Sequence, residues 1–350
     1  MDAARCAQAI REYDGRPLRL MEVCGTHTHA IFREGVDALL PPTVRLISGP
    51  GCPVCVTPAG YVDRAAGLCQ MPGHTLLTFG DMVRVPGLHT SLLKARASGG
   101  SVGVIYSPLD ALALAAAQPD RTFVVAAVGF ETTLPAYALL LERAIERGLG
   151  NIRLLTAGRA LMPALDWLCG HDKAPDGFIG PGHVSAIIGS GAYEPLCAAY
   201  RVPLAVAGFR YEHLVLAIYD LIRQASEGGF EVRNLYPSAV SRGGNAAALA
   251  LIDRYFERAA AVWRGLGEIE DSGYRLRARY ARFDAGAADE SYAGDVGGCR
   301  CGDVILGAID PPECPLFGAA CTPENPMGPC MVSSEGACGI WHRLKERRRA

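Results

Sequence analysis

The sequence lacks any long hydrophobic run free of charge. No stretch reaches the ~18 uncharged apolar residues that a membrane-spanning helix requires, and the best apolar runs, such as 122–130, have the length of a strand. Residues 1–23 mix charges among apolar positions and therefore do not resemble a secretory signal peptide. We expect a cytoplasmic chain with no membrane partner.

An excess of charge of either sign is also missing. The 34 Lys and Arg residues nearly balance the 36 Asp and Glu residues, which leaves a net charge of −2. Surfaces that bind nucleic acid usually carry a clear basic excess, so we expect no nucleic-acid partner. No G-x-G-x-x-G or G-x-x-x-x-G-K-S/T pattern follows a predicted strand, and neither a dinucleotide site nor a P-loop is supported.

What the sequence does contain is an alternation of short β-branched runs with helical stretches, which is typical of βαβ units. A length of 350 residues, half of them hydrophobic, is enough for more than one core. We predict an α/β fold with two similar parallel-sheet lobes facing a cleft, plus a small third lobe rich in loops and helices. The predicted strands are 44–48, 75–79, 102–106 and 122–128 in one set and 152–156, 177–179 and 204–207 in another.

The chain divides into four predicted segments. The N-terminal segment carries the Cys24 motif and is expected to pack on the third lobe, and two α/β lobes and the third lobe follow it. The predicted bounds are 1–40, 41–130, 131–240 and 241–350.

Thirteen cysteines are the feature that most needs an explanation. In a reducing compartment, thiols serve metal or redox chemistry more often than structural disulfides. Four of them are spaced by seven, nine and eight residues on a segment rich in Pro and Gly: Cys314, Cys321, Cys330 and Cys338. Zinc modules usually use close cysteine pairs, which this set lacks, whereas a [4Fe–4S] cubane needs four cysteines. The spacing favours an iron–sulfur cluster, with Cys299 and Cys301 as alternative ligands or structural residues.

Three more cysteines lie in two loop-like motifs. Cys52 and Cys55 form a C-x-x-C after a predicted strand, an arrangement suited to reversible disulfide formation, although two thiols that merely pack are the alternative. Cys24 precedes His27 and His29, either of which could bind iron or relay a proton. We predict that the three cysteines form one site, which requires the two loops to meet in space.

Polar side chains follow several predicted strands. The C-terminal ends of parallel strands gather at one edge of a sheet, where open α/β folds build their sites. We therefore expect a cleft between the lobes to be lined by Asp81, Glu131, Thr132 and His183. Helix capping is the alternative role, and it suits Asp110 and Thr133 best.

Taken together and in order, the motifs closely resemble those of the HypD family of hydrogenase maturation factors. The resemblance covers nearly the whole chain and rests on 21–29, 49–58, 79–82, 129–133, 180–185 and the cysteines of 313–338. Two segments depart from it: Arg210-Tyr-Glu-His213 replaces an acidic, Pro-containing segment, and 234–238 lacks an expected Arg after its Ser. Both departures lie in the predicted second lobe and leave the cysteine motifs intact.

The resemblance implies a scaffold and redox protein rather than a conventional small-molecule enzyme. It implies that, with a HypC-like small chaperone, the chain holds iron while the Fe(CN)₂CO unit of [NiFe]-hydrogenase is assembled, and that a HypE-like protein donates the cyanide. By the same resemblance Cys24 holds the iron together with a partner cysteine, and His27 lies in the same motif. Cys52 and Cys55 are then the redox pair, and the four C-terminal cysteines are the [4Fe–4S] ligands.

Two other functions remain open at this point. One is a [4Fe–4S] dehydratase or synthase of the quinolinate synthase kind, in which an open iron acts as a Lewis acid. Such enzymes need only three cluster cysteines, and four well-placed ones argue against an open iron. The other is a dithiol oxidoreductase whose C-terminal segment is held by zinc. This hypothesis predicts zinc in place of iron and no broad visible absorbance.

Overall fold

The computed structural model describes residues 2–171, 174–286 and 297–345. Its strands form two sheets covered by helices, so the predicted α/β class is confirmed. The strands are β1 (Leu18–Glu22), β2 (Val44–Ser48), β3 (His74–Thr78), β4 (Val102–Val104), β5 (Thr122–Gly129), β6 (Ile152–Arg159), β7 (Gly177–Pro181), β8 (Leu204–Ala207), β9 (Val232–Asn234), β10 (Phe256–Trp263) and β11 (Gly267–Leu276).

The helices alternate with these strands along most of the chain and become very short near its C-terminus. They are α1 (Ala3–Arg11), α2 (Gly25–Glu34), α3 (Pro53–Val56), α4 (Ala59–Gln70), α5 (Leu92–Ala97), α6 (Asp110–Ala117), α7 (Leu134–Glu146), α8 (Leu161–Cys169), α9 (Gly182–Ile188), α10 (Glu194–Tyr200), α11 (Tyr211–Glu227), α12 (Ala246–Tyr255), α13 (Cys301–Ile305), α14 (Pro329–Val332) and α15 (Ala337–Ile340). Within the described ranges, no helix is both long and apolar enough to span a membrane.

The first sheet is entirely parallel, with the strand order β2-β1-β7-β8-β9. Its inner strands β7 and β8 are buried at every position, as expected when helices cover both faces of a parallel sheet. Helix α11 packs its apolar side, including Leu214 and Ile218, against this sheet and α1. The sheet therefore brings the C-terminal ends of β1, β2, β7 and β8 to one edge.

The second sheet has the order β10-β11-β6-β5-β3-β4, in which the antiparallel pair β10–β11 extends a parallel core. Its central strand β5 is almost completely buried between α7 and α4. Tyr137 from α7 donates its hydroxyl to the Val128 carbonyl over 3.0 Å, and Tyr61 from α4 donates to the Leu155 carbonyl over 2.8 Å. These bonds attach both helix layers to the sheet.

Each sheet contains strands from both of the predicted lobes, 41–130 and 131–240. Strand β2, from the first range, lies in the first sheet, whereas β6, from the second range, lies in the second sheet. The chain enters the first sheet with β1 and β2, builds the parallel part of the second, and returns to the first with β7. The physical reason is that an apolar run specifies burial but does not specify its pairing partner.

The C-terminal segment splits between two environments. Helix α12 and the β10–β11 pair belong to the second sheet, whereas the residues from 297 onward form short helices and turns. Of the predicted lobe 241–350, residues 287–296 and 346–350 lie outside the described residues. Helix α2, from the predicted segment 1–40, contacts this part of the chain, where the ring of Phe32 lies 5.1 Å from that of Trp341.

We expect Ser272 to stabilise the core through Trp263. The indole N–H of Trp263 donates to Ser272 Oγ over 2.8 Å, and both side chains are fully buried. Ser272→Ala leaves that N–H without its partner, so the free energy of unfolding should fall by about 1–3 kcal/mol. Denaturant unfolding followed by circular dichroism measures the change. The exposed Ser238→Ala serves as the matched control, and equal stability of the two variants would contradict the expectation.

Candidate functional site

The Cys24 loop joins β1 to α2 and is almost closed to solvent. Cys24 is 6% exposed, and its backbone N–H donates to Glu22 Oε2 over 3.0 Å, while the Thr28 hydroxyl donates to the other carboxylate oxygen. Burial raises the pKa of Glu22 to about 8 and that of Cys24 to about 12, although the N–H groups of His27 and Thr26 act to lower the latter. At neutral pH the Cys24 thiol is therefore protonated until a metal or another electrophile replaces its proton.

The Cys52–Cys55 loop follows β2 and begins the short helix α3. Cys52 caps this helix, so that its sulfur accepts the Cys55 N–H over 3.3 Å, and Pro53 fixes the first helical position. Cys52 is 5% exposed and Cys55 is 1% exposed. Burial raises the pKa of the Cys55 thiol well above its ordinary value. Cys52 is thus the more approachable thiol of the pair.

The two loops meet, as the predicted single site requires. The Gly49 N–H donates to the Glu22 carbonyl over 2.8 Å, and the Gly25 N–H lies 3.5 Å from the Gly51 carbonyl. A Cβ on Gly51 would stand only 2.2 Å from the backbone nitrogen of Cys24. Only glycine permits this approach, which explains the Gly-Pro-Gly that precedes the C-x-x-C.

All four predicted cluster cysteines lie around one pocket in the C-terminal segment. The thiols that line it are those of Cys299, Cys301, Cys314, Cys321, Cys330 and Cys338. The remaining lining is largely apolar and includes Leu316, Phe317 and Met331. Among the described residues, no three Cys, His, Asp or Glu side chains converge on the position of a single ion. Six thiols spread around an apolar pocket are a donor set that suits an iron–sulfur cluster.

Cys330 differs from the other predicted ligands because it touches two further thiols. Its sulfur lies 2.9 Å from that of Cys301, and its thiol is hydrogen-bonded to that of Cys55; a third hydrogen bond joins it to Cys338, at the pocket. A row of buried thiols therefore runs from Cys52 through Cys55 and Cys330 to Cys301 and the pocket. The sequence left Cys301 as an alternative ligand or a structural residue, and its only local signal was the Cys-Arg-Cys spacing with Cys299.

His27 makes its contacts with the first sheet. The side chain is fully buried, its Nε2 lies 3.1 Å from the Ala207 carbonyl at the end of β8, and its ring centroid lies 4.9 Å from that of Phe209. Burial lowers the pKa of His27 to about 4, so the ring is neutral and Nε2 donates the hydrogen bond. In the part of the chain that is described, Nδ1 is buried without a partner. The ring joins α2 to the end of β8.

Three of the four predicted cleft residues lie at strand ends with different degrees of exposure. Glu131 is buried, its Oε1 accepts the Leu161 N–H over 3.0 Å, and burial raises the pKa of its carboxyl. Thr132 and His183 are exposed, and the ring of His183 lies 4.3 Å from that of Phe209.

Asp81 has a different neighbour from the other three. Its Oδ2 accepts hydrogen bonds from the C-terminal segment, from Ser333 Oγ over 3.1 Å and from the backbone N–H of Ser334 over 3.0 Å. Asp110, in contrast, is the first residue of α6 and accepts the N–H groups of Tyr106 and Ser107, both over 3.0 Å, so it closes the preceding turn instead of capping the helix as predicted. Asp81 thus holds the C-terminal segment at residues 333–334.

Comparison with known proteins gives one consistent result. The family model described as "HypD: Hydrogenase formation hypA family" matches residues 2–345. The chain is 48% identical over 346 residues to the hydrogenase maturation factor HypD of Azotobacter vinelandii, covering 96% of this chain and 91% of that protein. It is 45% identical to HypD of Rhizobium leguminosarum bv. viciae, with 99% and 94% covered, and 43% identical to HypD of Escherichia coli K12, with 95% and 90% covered.

We expect Gly51→Ala to separate the two loops. The added Cβ meets backbone atoms of Val23 and Cys24, which cannot rotate away as a side chain can. Overpacking of this kind typically costs about 1–3 kcal/mol, so the free energy of unfolding should fall by that amount. Gly67→Ala on α4 is the matched control, because its Cβ would meet nothing within 4 Å. If both variants unfold at the same denaturant concentration, the contact does not hold the loops together.

Proposed function

The chain belongs to the HypD family and is a hydrogenase maturation factor, and from this premise we propose that it is the scaffold on which the iron of [NiFe]-hydrogenase receives its ligands. Support comes from the contact between the Cys24 loop and the C-x-x-C loop, and from the row of thiols that continues into the six-cysteine pocket. We place this work in the cytoplasm, where thiols stay reduced.

The iron is the cargo, and Cys24 is its proposed ligand on this chain. A thiolate is a soft ligand suited to iron that carries cyanide and CO. The N–H groups of Thr26 and His27 favour the thiolate form once the proton leaves. A cysteine of a HypC-like chaperone is the second proposed protein ligand of the iron, and a HypE-like protein donates cyanide to the iron. His27 keeps α2, and therefore Cys24, in position on the first sheet.

The six-cysteine pocket is the proposed seat of a [4Fe–4S] cluster, which when bound supplies one-electron redox chemistry. Cys314, Cys321 and Cys338 are three of its ligands. The sequence pattern suggests Cys330 as the fourth, but we propose Cys299 instead, because Cys330 touches both Cys301, at 2.9 Å, and Cys55 and so is placed to exchange disulfides with them. The cluster is thus proposed to leave Cys301 and Cys330 free as a second dithiol.

Two dithiols in contact can exchange electrons without any further reagent. The Cys330 thiolate attacks the Cys55 sulfur of a Cys52–Cys55 disulfide, so that a Cys330–Cys55 bond forms and Cys52 leaves as a thiolate. The Cys301 thiolate then attacks Cys330 and releases Cys55. The net result moves two electrons and two protons from Cys301 and Cys330 to Cys52 and Cys55, next to the iron ligand Cys24.

We expect Cys24→Ala to lose the cargo. The variant, co-expressed anaerobically with the HypC-like and HypE-like partners, should show no infrared bands of iron-bound cyanide and CO, because its iron ligand is absent. Cys6→Ala, a buried cysteine in the core against α11, is the matched control and should keep the bands. Bands at the parental stoichiometry in Cys24→Ala would exclude this ligand.

The fourth cluster ligand is tested by comparing Cys299→Ser with Cys330→Ser. We expect Cys299→Ser to lose iron, sulfide and visible absorbance after anaerobic purification, because it removes a ligand. Cys330→Ser should keep them, because it removes one member of the dithiol. The opposite result would assign Cys330 to the cluster, and zinc in place of iron in the parental chain would exclude a cluster altogether.

A further inference from the structure

We propose that Ser333 and Asp81 form a proton relay for Cys52. The Cys52 thiol donates to Ser333 Oγ over 3.5 Å, and the Ser333 hydroxyl donates to Asp81 Oδ2 over 3.1 Å. Both donors thus point the same way, from the thiol toward the carboxylate. The inference rests on the proposed redox role of Cys52 and Cys55, and it adds the route by which the proton of Cys52 leaves and returns.

The burial of the three groups fits such a route. Cys52 and Ser333 are buried, whereas Asp81 is only partly buried on the 3₁₀ turn Gly80–Arg84. A proton released by Cys52 therefore needs an internal carrier, and Asp81 can pass it to solvent. Cys55 has a different neighbour, since its thiol is hydrogen-bonded to that of Cys330. The two members of the pair thus face different partners, a thiol on one side and a hydroxyl on the other.

Other ionisable groups near Cys52 are engaged elsewhere. The cavity beside Cys52 is also lined by Glu22, Cys55, Cys330 and Glu335. Glu22 accepts the Cys24 N–H and the Thr28 hydroxyl, and Glu335 accepts the Thr26 hydroxyl over 2.8 Å. Asp81 is the carboxylate that a hydrogen-bonded path joins to Cys52.

Two arginines lie near the other end of the relay. Arg84, on the same turn as Asp81, donates to the carbonyls of Pro323 and Glu324. Arg343 donates to the Ser334 carbonyl over 3.4 Å. Both guanidinium groups thus donate to backbone carbonyls of the C-terminal segment. Asp81 Oδ2 accepts its hydrogen bonds from Ser333 and Ser334.

The relay completes the proton balance of the exchange. When Cys330 attacks Cys55, the Cys55–Cys52 bond breaks and Cys52 takes the electron pair. Ser333 gives its proton to the Cys52 sulfur and takes one from Asp81. Asp81 is then protonated again by solvent. In the oxidative direction the same three groups run in reverse, and the proton of Cys52 ends on Asp81. General acid–base assistance of this kind contributes about 10²–10⁴-fold to a rate.

A purely structural role for Asp81 must be separated from the relay. Asp81 Oδ2 also accepts the backbone N–H and the hydroxyl of Ser334, over 3.0 and 3.2 Å, and so anchors the C-terminal segment. Ser334→Ala removes one anchoring bond but lies off the path to Cys52. It is the matched control for Ser333→Ala, which removes the central member of the path.

The test measures how fast the reduced pair oxidises. The full chain, purified anaerobically with its iron–sulfur cluster, is treated at neutral pH with the azo oxidant diamide, which accepts the two electrons and two protons of the dithiol. Quenching by alkylation and mass spectrometry of the peptide 46–64 follows the Cys52–Cys55 disulfide. We expect Ser333→Ala and Asp81→Asn to slow its formation by about 100-fold or more. Ser334→Ala and the hydroxyl-retaining Ser333→Thr should stay close to the parental rate.

The outcomes separate the relay from the redox pair itself. Parental rates in Ser333→Ala and Asp81→Asn would overturn the relay, as would equal slowing by Ser334→Ala. If Ser333→Ala loses its cluster absorbance, Asp81→Asn decides the question alone, since Asp81 is only partly buried and lies further from the cluster cysteines in sequence. A parental chain that never forms the Cys52–Cys55 disulfide would instead overturn the redox role on which the relay rests.

Discussion

Backbone contact between three loops holds the thiols in one place. A Cβ added at either of two glycines would overlap the backbone of another loop, 2.1 Å from the Glu335 carbonyl oxygen at Gly25 and 2.2 Å from the Cys24 nitrogen at Gly51. Within the C-terminal loop itself, a Cβ at Gly336 would lie 2.2 Å from the Cys330 carbonyl oxygen. Main-chain atoms move less than side chains, so the separations between the sulfurs are set by the least adjustable part of the molecule. The first sheet supplies two of these loops, and the C-terminal segment supplies the third.

In the proposed mechanism, electrons and protons reach the Cys52–Cys55 pair by different routes. The electron pairs would pass along the contacting thiols of Cys55, Cys330 and Cys301, whereas the Ser333 hydroxyl donates its hydrogen bond to Asp81, which lies outside that row. Burial raises the pKa of Cys55 well above its ordinary value, so this thiol stays protonated in the resting site. A buried dithiol is thereby protected from adventitious oxidants and depends on its neighbours for reactivity.

The sequence was sufficient for the fold class and the family. The apolar runs 44–48 and 122–128 correspond to β2 and β5, and the cysteine motifs predicted that the Cys24 and Cys52 loops meet. Sheet membership was not predictable, because β2 and β3 look alike as buried runs and only the crossovers assign them to different sheets. The same limit applied to Asp81, whose strand-end position predicted a cleft, while its partner Ser333 lies 252 residues further along the chain. Contacts of that range leave no local pattern.

The interleaved strand order has a consequence for biosynthesis. Strands β1 and β2 leave the ribosome early, but β1 pairs on its other side with β7, and the parallel part of the second sheet is synthesised in between. The Cys24 and Cys52 loops must then wait for the C-terminal segment, because Glu335 and Cys330 close them. A nascent or truncated chain without the C-terminal segment therefore carries Cys24, Cys52 and Cys55 but lacks the residues that cover them. The site is completed only after the C-terminal segment has been synthesised and has packed on these loops.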